Sequence, residues 1–206
     1  MLTGVAIPLS EIPHDLIVPH NLGPRVHARD GKLEVQFLFR HAERVLPFLQ
    51  DGQLRIARWG NRRGESRHLP CSWWTWRTSV EAGRWAHCDA AEVVVPATLG
   101  LDKGIWFRIA GGVRALLITD EAGVLRLYPI VEPASRWYAT MTKSDWMPRI
   151  VVGETTAERG QRVGRRVLYP LAKAGKIVDQ ATLVREIEDR GRDMTPVKGG
   201  AWRRAR

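Results

Sequence analysis

The sequence predicts an α+β fold made mainly of antiparallel strands in a curled sheet or partial barrel, with helices at the C-terminus. Two observations lead to this prediction. Short apolar and β-branched runs, separated by turn residues, recur from Lys32 onward. After Gly153 this pattern gives way to helix-start signals and a basic segment. We therefore divide the 206 residues into a strand-rich body, 1–154, and a helical extension, 155–206.

Eight segments of the body have the length and composition of β-strands. They are residues 33–40, 45–49, 54–59, 92–96, 105–109, 114–119, 124–131 and 149–152. Asp30-Gly31, Asp51-Gly52 and Gly111-Gly112 are typical of hairpins and tight turns, because glycine adopts the positive φ that such turns need. Residues 1–30 show no sustained period, so we expect an extended surface segment with at most one short strand.

In the extension, Thr155 and Glu158 are spaced like a helix cap and a glutamate that reaches back to it. One helix is expected to run from there to about residue 168, and a second over 179–190, which carries an apolar stripe. Residues 194–206 are predicted to form a loose basic tail. A basic helical extension is a candidate docking module for a protein partner.

The composition bounds the cellular setting and the class of partner. No run of about 18 apolar residues is present, and residues 1–8 lack the basic flank and long apolar core of a secretion signal. We therefore expect a cytoplasmic protein with no membrane partner. Cys71 and Cys88 could form at most one bridge, which excludes a disulfide scaffold. The net charge of +10 indicates a polyanionic partner, because neutralising phosphates releases condensed counterions.

The positive charge is unevenly distributed. Residues 155–206 hold 13 of the 32 Lys and Arg but 6 of the 22 Asp and Glu. Within the body, residues 55–85 contain seven arginines and five tryptophans against two acids. Since single strands are held by aromatic faces that stack on bases and by cations along the backbone, this segment predicts a face that binds single-stranded DNA. Its candidate residues are Arg58, Trp59, Arg62, Arg63, Trp73, Trp74 and Arg77.

A competing interpretation places these tryptophans in the core and the arginines on a solvated face, because Trp side chains are mostly buried. If Trp73 and Trp74 lie on one strand, they point to opposite faces, which brings at least one of them to the surface. The sequence leaves both interpretations open.

Three short blocks follow one another in a recognisable order: Ala-Arg-Trp-Gly at 57–60, Val-Val-Val-Pro-Ala at 93–97 followed by Asp102, and Ser-Asp-Trp-Met-Pro at 144–148. They resemble the RWG, PADGFYEW and HDRMP segments of the SOS-response-associated peptidase (SRAP) family. Pro-Cys-Ser-Trp-Trp at 70–74 is similar to the Pro and Trp stretch that follows RWG in that family. The resemblance covers roughly residues 1–152 and does not include the extension.

The resemblance implies a mixed, barrel-like fold that recognises single-stranded DNA containing an abasic site, in the setting of DNA damage and the SOS response. In the family, a cysteine exposed by removal of the initiator Met attacks the sugar aldehyde, with an Asn, a Glu and a His nearby. Here Leu2 stands at the cysteine position, Asp102 at the glutamate, Ser144 at the histidine and Trp146 at the arginine that follows it. The family's Asn-Ala-Arg segment is best matched by residues 75–77, which keep only the Arg.

Without a terminal thiol no thiazolidine with an aldehyde can form, so the family's crosslinking chemistry is predicted to be absent. Asp102 and Ser144 then mark a remnant of its reactive centre.

Other groupings of reactive side chains are weaker. His68, Cys71, His87 and Cys88 are zinc-type ligands, but two of them are adjacent, whereas zinc ligands are usually separated by two to four residues. Cys71 could be a nucleophile with a histidine base, although a free cysteine is far more often idle. Asp102 and Asp145 could be paired carboxylates or Mg²⁺ ligands, or could simply cap turns. We predict no metal site and no cofactor.

Three functions follow, in this order. The first is binding of single-stranded DNA without crosslinking, at an abasic or damage-associated site if the resemblance extends that far. The second is an active hydrolase, lyase or peptidase that uses Asp102 with Ser144 or Thr3. The third is a scaffold that docks a protein partner through residues 155–206.

Overall fold

The computed structural model describes residues 1–151 and the backbone of Pro170–Lys173. The helices predicted within 155–168 and 179–190, and the tail at 194–206, lie outside the described residues. No helix in the described part of the chain is long and apolar enough to cross a membrane.

The described structure contains thirteen strands, three short α-helices and three single-turn 3₁₀ helices. In chain order the strands are β1 Leu2–Pro8, β2 Val26–Arg29, β3 Lys32–Leu38, β4 Val45–Gln50, β5 Gln53–Trp59, β6 Thr75–Trp76, β7 Ala91–Val95, β8 Leu99–Asp102, β9 Ile105–Arg108, β10 Val113–Thr119, β11 Leu125–Pro133, β12 Trp146–Pro148 and β13 Pro170–Lys173. The helices are α1 His14–Ile17, α2 Arg77–Glu81 and α3 Arg136–Thr142. The predicted fold class is confirmed.

The strands form two sheets. One has the order β13-β9-β8-β1-β3-β2, and all its pairings are antiparallel. In the other, β10, β7, β4, β5 and β11 follow one another, and a further pairing of β10 with β11 closes them into a five-stranded barrel. Its β5–β11 pairing is parallel. The short strands β6 and β12 extend the barrel by pairing with β11.

The position of the first strand differs from the prediction. We expected residues 1–30 to cross the surface, whereas β1 lies between β3 and β8, and Val5, Ala6 and Ile7 are fully buried. Its residues are apolar almost throughout rather than alternately, as expected for a strand covered on both faces. The start of the chain is therefore a central element of the fold.

Several short elements escaped the sequence pattern. Strands β2, β6, β8, β12 and β13 and helix α3 were not predicted. Conversely, residues 149–152 were predicted as a strand, but within the described residues only Ile150 forms an isolated bridge, to Val113. Strands of two to four residues carry too few side chains to show a period, which explains most of these differences.

Two predicted hairpin turns are confirmed. Asp30-Gly31 joins β2 to β3 and Asp51-Gly52 joins β4 to β5, each with positive φ at both positions. The Gly111-Gly112 pair also has positive φ, but it precedes β10, whose partners are β7 and β11 rather than the preceding strand β9.

A buried charge network stabilises the outer part of the barrel. The Arg126 side chain is 2% exposed and donates hydrogen bonds to Asp120 Oδ2 at 2.7 Å, to Glu65 Oε2 at 2.8 Å and to the Gly60 carbonyl at 3.0 Å. Burial opposes ionisation of Asp120, but hydrogen bonds from the Val124 N–H and from Arg126 outweigh it and hold the pKa of Asp120 below its usual value.

This network predicts an acid-sensitive contribution to stability. Because the pKa of Asp120 is lowered in the folded state, its contribution is present above about pH 4, the usual pKa of Asp, and is lost as the pH falls through the lowered value. Asp120→Asn should reduce the free energy of unfolding at pH 7, measured by urea denaturation. The difference from wild type should shrink as the pH falls from about 4 through the lowered pKa; a difference that stays constant with pH would contradict this account.

Candidate functional site

A buried carboxylate that lies beside the first residue of the chain accepts hydrogen bonds from three groups. Asp102 is fully buried, and its Oδ1 accepts from the α-amino group of Met1 at 2.6 Å. Its Oδ2 accepts from the hydroxyl of Tyr138 at 2.8 Å and from the hydroxyl of Ser144 at 2.9 Å. The Met1 amine also donates to Ser144 Oγ at 3.0 Å. We call these four residues the Asp102 cluster.

The fold brings the cluster together from the sheet of β1 and from the segment between β11 and β12. The β1–β8 pairing sets Leu2 opposite Asp102, so the first residue of the chain comes beside that carboxylate. Tyr138 lies on α3, whose start is capped by the Ser135 hydroxyl accepting from the Tyr138 N–H at 3.2 Å. Ser144 follows the helix and precedes β12. The cluster therefore ties the sheet of β1 to the segment that joins β11 and β12.

In the structure the cluster is held as an ion pair. An ammonium group held at a carboxylate carries no lone pair for attack, and Ser144, which is 4% exposed, donates its proton to Asp102 instead of holding it for a base. Burial, followed by the negative charge of Asp102, raises the pKa of Tyr138 far above its ordinary value, so its hydroxyl stays a donor.

Thr3, the other residue suggested for catalysis, does not join this cluster. Its hydroxyl donates to the Leu101 carbonyl at 3.2 Å. Among the residues suggested for the enzyme hypothesis, the structure thus brings together Asp102 and Ser144.

A groove of about 670 Å³ opens on the barrel side of the molecule, between α2, β11 and β12. Trp76 and Trp146 line it, with their ring centroids 4.1 Å apart in an edge-to-face arrangement. Trp74 also packs on Trp76 edge to face, with ring centroids 4.3 Å apart. All three rings are half-buried, so each keeps some surface open to solvent. We call this feature the tryptophan groove.

The groove carries charges of both signs. Arg77 and Arg84 line it and are exposed, and so is Glu81. Arg77 pairs with Glu81 at 2.6 Å and with Glu132 at 3.3 Å, and these contacts raise the pKa of Arg77. Arg84 forms no ion pair with any residue that the structure describes.

The groove and the Asp102 cluster are neighbours along the chain. Trp146 is two residues after Ser144, so their Cα atoms are at most about 7 Å apart. The position that resembles the family's arginine thus contributes an aromatic wall of the groove.

The residues predicted to bind DNA are distributed over different surroundings. Trp59 is 3% exposed and belongs to the core, so its ring offers no free face to a base. Trp73 stacks on Phe39, with centroids 4.7 Å apart, and Trp74 packs on Trp76. Trp73 and Trp74 do not lie on a strand, because β6 begins only at Thr75. Their rings nevertheless pack against different neighbours.

The predicted arginines are all exposed, namely Arg58, Arg62, Arg63 and Arg77. Arg77 alone lines the groove described above. Arg62 lies near Arg44, where it adds to burial in lowering the pKa of Arg44. The structure therefore divides the predicted face into a core part around Trp59 and an exposed part that includes Trp74 and Arg77.

The loop that carries Trp73 and Trp74 is fixed by Gly60 and Asn61. Gly60 has φ +68°, and a Cβ there would lie 2.4 Å from the Ser72 carbonyl oxygen, so only glycine fits. Buried Asn61 donates to the carbonyls of Ser66 and Leu69 and accepts from the Ser66 N–H. The Trp59 indole donates to the Trp73 carbonyl at 2.9 Å. The Trp-Gly pair of the 57–60 block thus anchors the loop.

The sequence did not single out the Met1 amine, Tyr138 or Arg84. The helix that carries Tyr138 does have a sequence signal. Ser135 is a typical N-cap residue, and Trp137 and Met141 follow it four residues apart, as on one face of a helix. The contact of the Met1 amine depends on the pairing of β1 with β8, which a strand at the surface would not have formed.

The two cysteines considered as ligands or nucleophiles differ in their surroundings. Cys71 is exposed and Cys88 is partly buried, and burial raises the pKa of the Cys88 thiol. The described residues contain no group of three or more His, Cys, Asp or Glu side chains that could hold a metal ion.

No protein-family model matches the chain, and no curated protein or solved structure matches it significantly. The likeness to the SRAP family therefore rests on the short sequence blocks alone.

The Asp102 cluster predicts a large and specific loss of stability. Asp102→Ala leaves the Met1 amine and two hydroxyls without their acceptor, so the free energy of unfolding should fall by about 3–5 kcal/mol. Ser144→Ala removes one partner and should cost about 1 kcal/mol. Urea denaturation at pH 7 measures both.

Asp145→Ala is the matched control for these variants, because Asp145 is exposed and adjacent to Ser144. Its effect should stay within about 0.5 kcal/mol. Equal losses for Asp102→Ala and Asp145→Ala would contradict the role given to the buried carboxylate.

Proposed function

We propose that the protein binds single-stranded DNA along the tryptophan groove and the adjoining end of the molecule where Met1 lies, without forming a covalent link. The observation that carries the proposal is the set of half-buried rings of Trp74, Trp76 and Trp146, bordered by the exposed Arg77 and Arg84. Aromatic faces beside cations are what a single strand needs, because every base has a face that can stack.

The arrangement of charges is compatible with this ligand. Arg77 is balanced by two glutamates, which hold its guanidinium at the groove. Arg84 has no such partner among the described residues, so it is the groove cation that a phosphate can engage without breaking an ion pair. Phosphate contacts by such residues contribute a salt-dependent part of the affinity.

The positions of the SRAP-like blocks support the same proposal. Leu2, Asp102 and Ser144, which occupy the family's cysteine, glutamate and histidine positions, converge at one place in the fold. Trp146 from the last block lines the groove next to it. This convergence is what a common ancestry with that family would produce, whereas unrelated short matches would be scattered.

The groove predicts a defined loss of affinity on removing one ring. Fluorescein-labelled dT15 titrated with the protein should bind, and Trp146→Ala should weaken binding about tenfold, since a stacked base contributes roughly 1–3 kcal/mol. Arg84→Glu should weaken binding and reduce its dependence on salt. Fluorescence anisotropy measures both, and circular dichroism establishes that the variants are folded.

Lys32→Glu is the control for Arg84→Glu, because it makes the same change of charge at an exposed site. Lys32 begins β3 and lies beyond the Pro8 end of β1, roughly 25 Å from Met1. The control should bind DNA nearly as wild type does. Absence of binding to dT15 at low salt, or equal losses in both charge variants, would overturn the groove proposal.

A second candidate is lyase chemistry at an aldehyde, and one observation favours it. The Met1 α-amine lies at the Asp102 cluster rather than free in solvent. A transient loss of its proton would let the nitrogen attack the aldehyde carbon of an abasic site and expel water to form an imine. Ser144 and Asp102 could hold the proton that moves during these steps.

Trapping separates this candidate from simple binding. The protein is incubated with an oligonucleotide carrying one abasic site in the presence of cyanoborohydride, which reduces an imine to a stable amine. Intact mass spectrometry then shows the first residue of the purified protein and any adduct on it. An adduct at Met1 that is lost on acetylation of the amine would favour the lyase; unchanged protein and uncut DNA would exclude it.

Docking of a protein partner through residues 155–206 stays a prediction, because these residues lie outside the described structure apart from the backbone of β13. That strand pairs with β9. A truncation that tests docking should therefore end after Lys173.

A further inference from the structure

Six residues other than glycine have a left-handed backbone in the described structure. They are Asn21, Asp30, Asp51, Asp89, Lys103 and Lys143. Asn and Asp adopt this conformation more readily than other side chains, because they can hydrogen-bond locally. The two lysines are the exceptions in this group, and backbone strain of this kind tends to occur at functional sites.

The fold contains its own comparison for Lys103. Three hairpins share a two-residue turn with positive φ at both positions, and their φ values nearly coincide. They are 49° and 74° at Asp30-Gly31, 52° and 74° at Asp51-Gly52, and 45° and 80° at Lys103-Gly104. This type I′ geometry favours Asn-Gly or Asp-Gly. The turn between β8 and β9 is the one that carries a lysine instead.

Lys143 occupies an equally unfavourable position. It ends α3 with φ 56° and donates its N–H to the Ala139 carbonyl at 2.9 Å. Glycine, and less often asparagine, usually takes this place after a helix because neither is strained there. Local structure therefore does not explain the choice of lysine.

The two lysines flank the same site. Lys103 follows Asp102 directly, and Lys143 directly precedes Ser144. Lys103 Nζ donates a hydrogen bond to the Lys143 carbonyl oxygen, which places the two turns side by side. Both side chains are exposed, and neither forms an ion pair with any residue the structure describes. The Met1 amine pairs with Asp102, and Asp145, the exposed carboxylate two residues after Lys143, forms no ion pair with either lysine.

We propose that Lys103 and Lys143 form a clamp for a backbone phosphate of single-stranded DNA at the edge of the Asp102 cluster. This inference rests on the proposed function and adds to it a second contact region, distinct from the tryptophan groove. An ammonium group is a compact cation with three donors that binds phosphate oxygens as a point charge. The two cations are carried by residues directly next to Asp102 and Ser144, beside the end of the molecule where Met1 lies.

The clamp predicts that replacing either lysine weakens DNA binding without lowering thermal stability. Lys103→Asn and Lys143→Gly put the residue types that each turn prefers at the strained positions. The melting temperature of each variant should stay the same or rise by up to about 4 °C. Binding to dT15 should weaken about threefold to tenfold in each, and the slope of log K against log salt should become shallower by roughly 0.7 for each phosphate that the variant no longer neutralises.

Two controls separate the effect of the lysine charge from the effect of the backbone conformation. Lys103→Arg keeps the cation at the same strained position and should retain wild-type affinity within about twofold. Lys32→Asn removes one exposed charge at the start of β3, beyond the Pro8 end of β1. It should leave both the affinity and the salt slope nearly unchanged. Together they exclude a general effect of net charge.

The outcomes separate the clamp from the proposed function. If wild type binds dT15 but Lys103→Asn and Lys143→Gly bind equally well with the same salt slope, the clamp is wrong and the groove proposal stands. If wild type does not bind, both fail. If affinity drops only in variants that have also lost thermal stability, the lysines are structural, and this too overturns the clamp.

Discussion

The hydrogen bonds to buried Asp102 are the constraint on which the arrangement of the described site depends. A carboxylate without solvent is strongly unfavourable unless it is paired and hydrogen-bonded, and here an amine and two hydroxyls meet that requirement. These donors come from the start of β1, from α3 and from the segment before β12. The carboxylate thus fixes the first residue of the chain against the region that carries Trp146.

This constraint also explains why binding and chemistry can be considered separately. Leu2, Asp102 and Ser144, the positions that resemble a reactive centre in sequence, lie close together, but Leu2 has no thiol and Ser144 has no basic nitrogen. What remains at these positions is an ion pair with fully used hydrogen bonds, which stabilises the fold. The aromatic and cationic side chains next to it are solvent-accessible, so the proposed binding of a strand requires no chemistry at the buried residues. DNA binding is accordingly supported by the groove tryptophans and the lysine pair more than by the overall charge of +10.

Much of the strand pattern could be predicted from the sequence, and the reason is local. Strands β3, β4, β5, β7, β10 and β11 are long enough to show apolar runs, and Asp-Gly pairs mark two of their turns. β1 was misjudged because its burial depends on neighbours far along the chain, β3 and β8. Trp59 was assigned to the DNA-binding face from its Arg-rich surroundings, but along β5 its side chain alternates inward, into the core.

The candidate site was harder to predict than the fold. Asp102 and Ser144 were singled out through a family resemblance, and the structure brings them within 2.9 Å. Tyr138 and the Met1 amine complete the cluster through contacts that span 36 and 101 residues, and no local pattern encodes such contacts. The strain at Lys103 and Lys143 is visible only in the backbone angles, because Lys-Gly in a sequence does not identify a turn of this type.

The most direct test of the central claim is the response of the individual tryptophan indole N–H signals to DNA, followed by ¹⁵N–¹H NMR with assignments from single Trp→Phe variants. On titration with dT15, the signals of Trp76 and Trp146 should shift most, whereas those of the buried Trp59 and Trp106 should stay in place. Saturable shifts confined to the groove tryptophans are the result that the account predicts. No shifts, or shifts centred on tryptophans away from the groove, would contradict it.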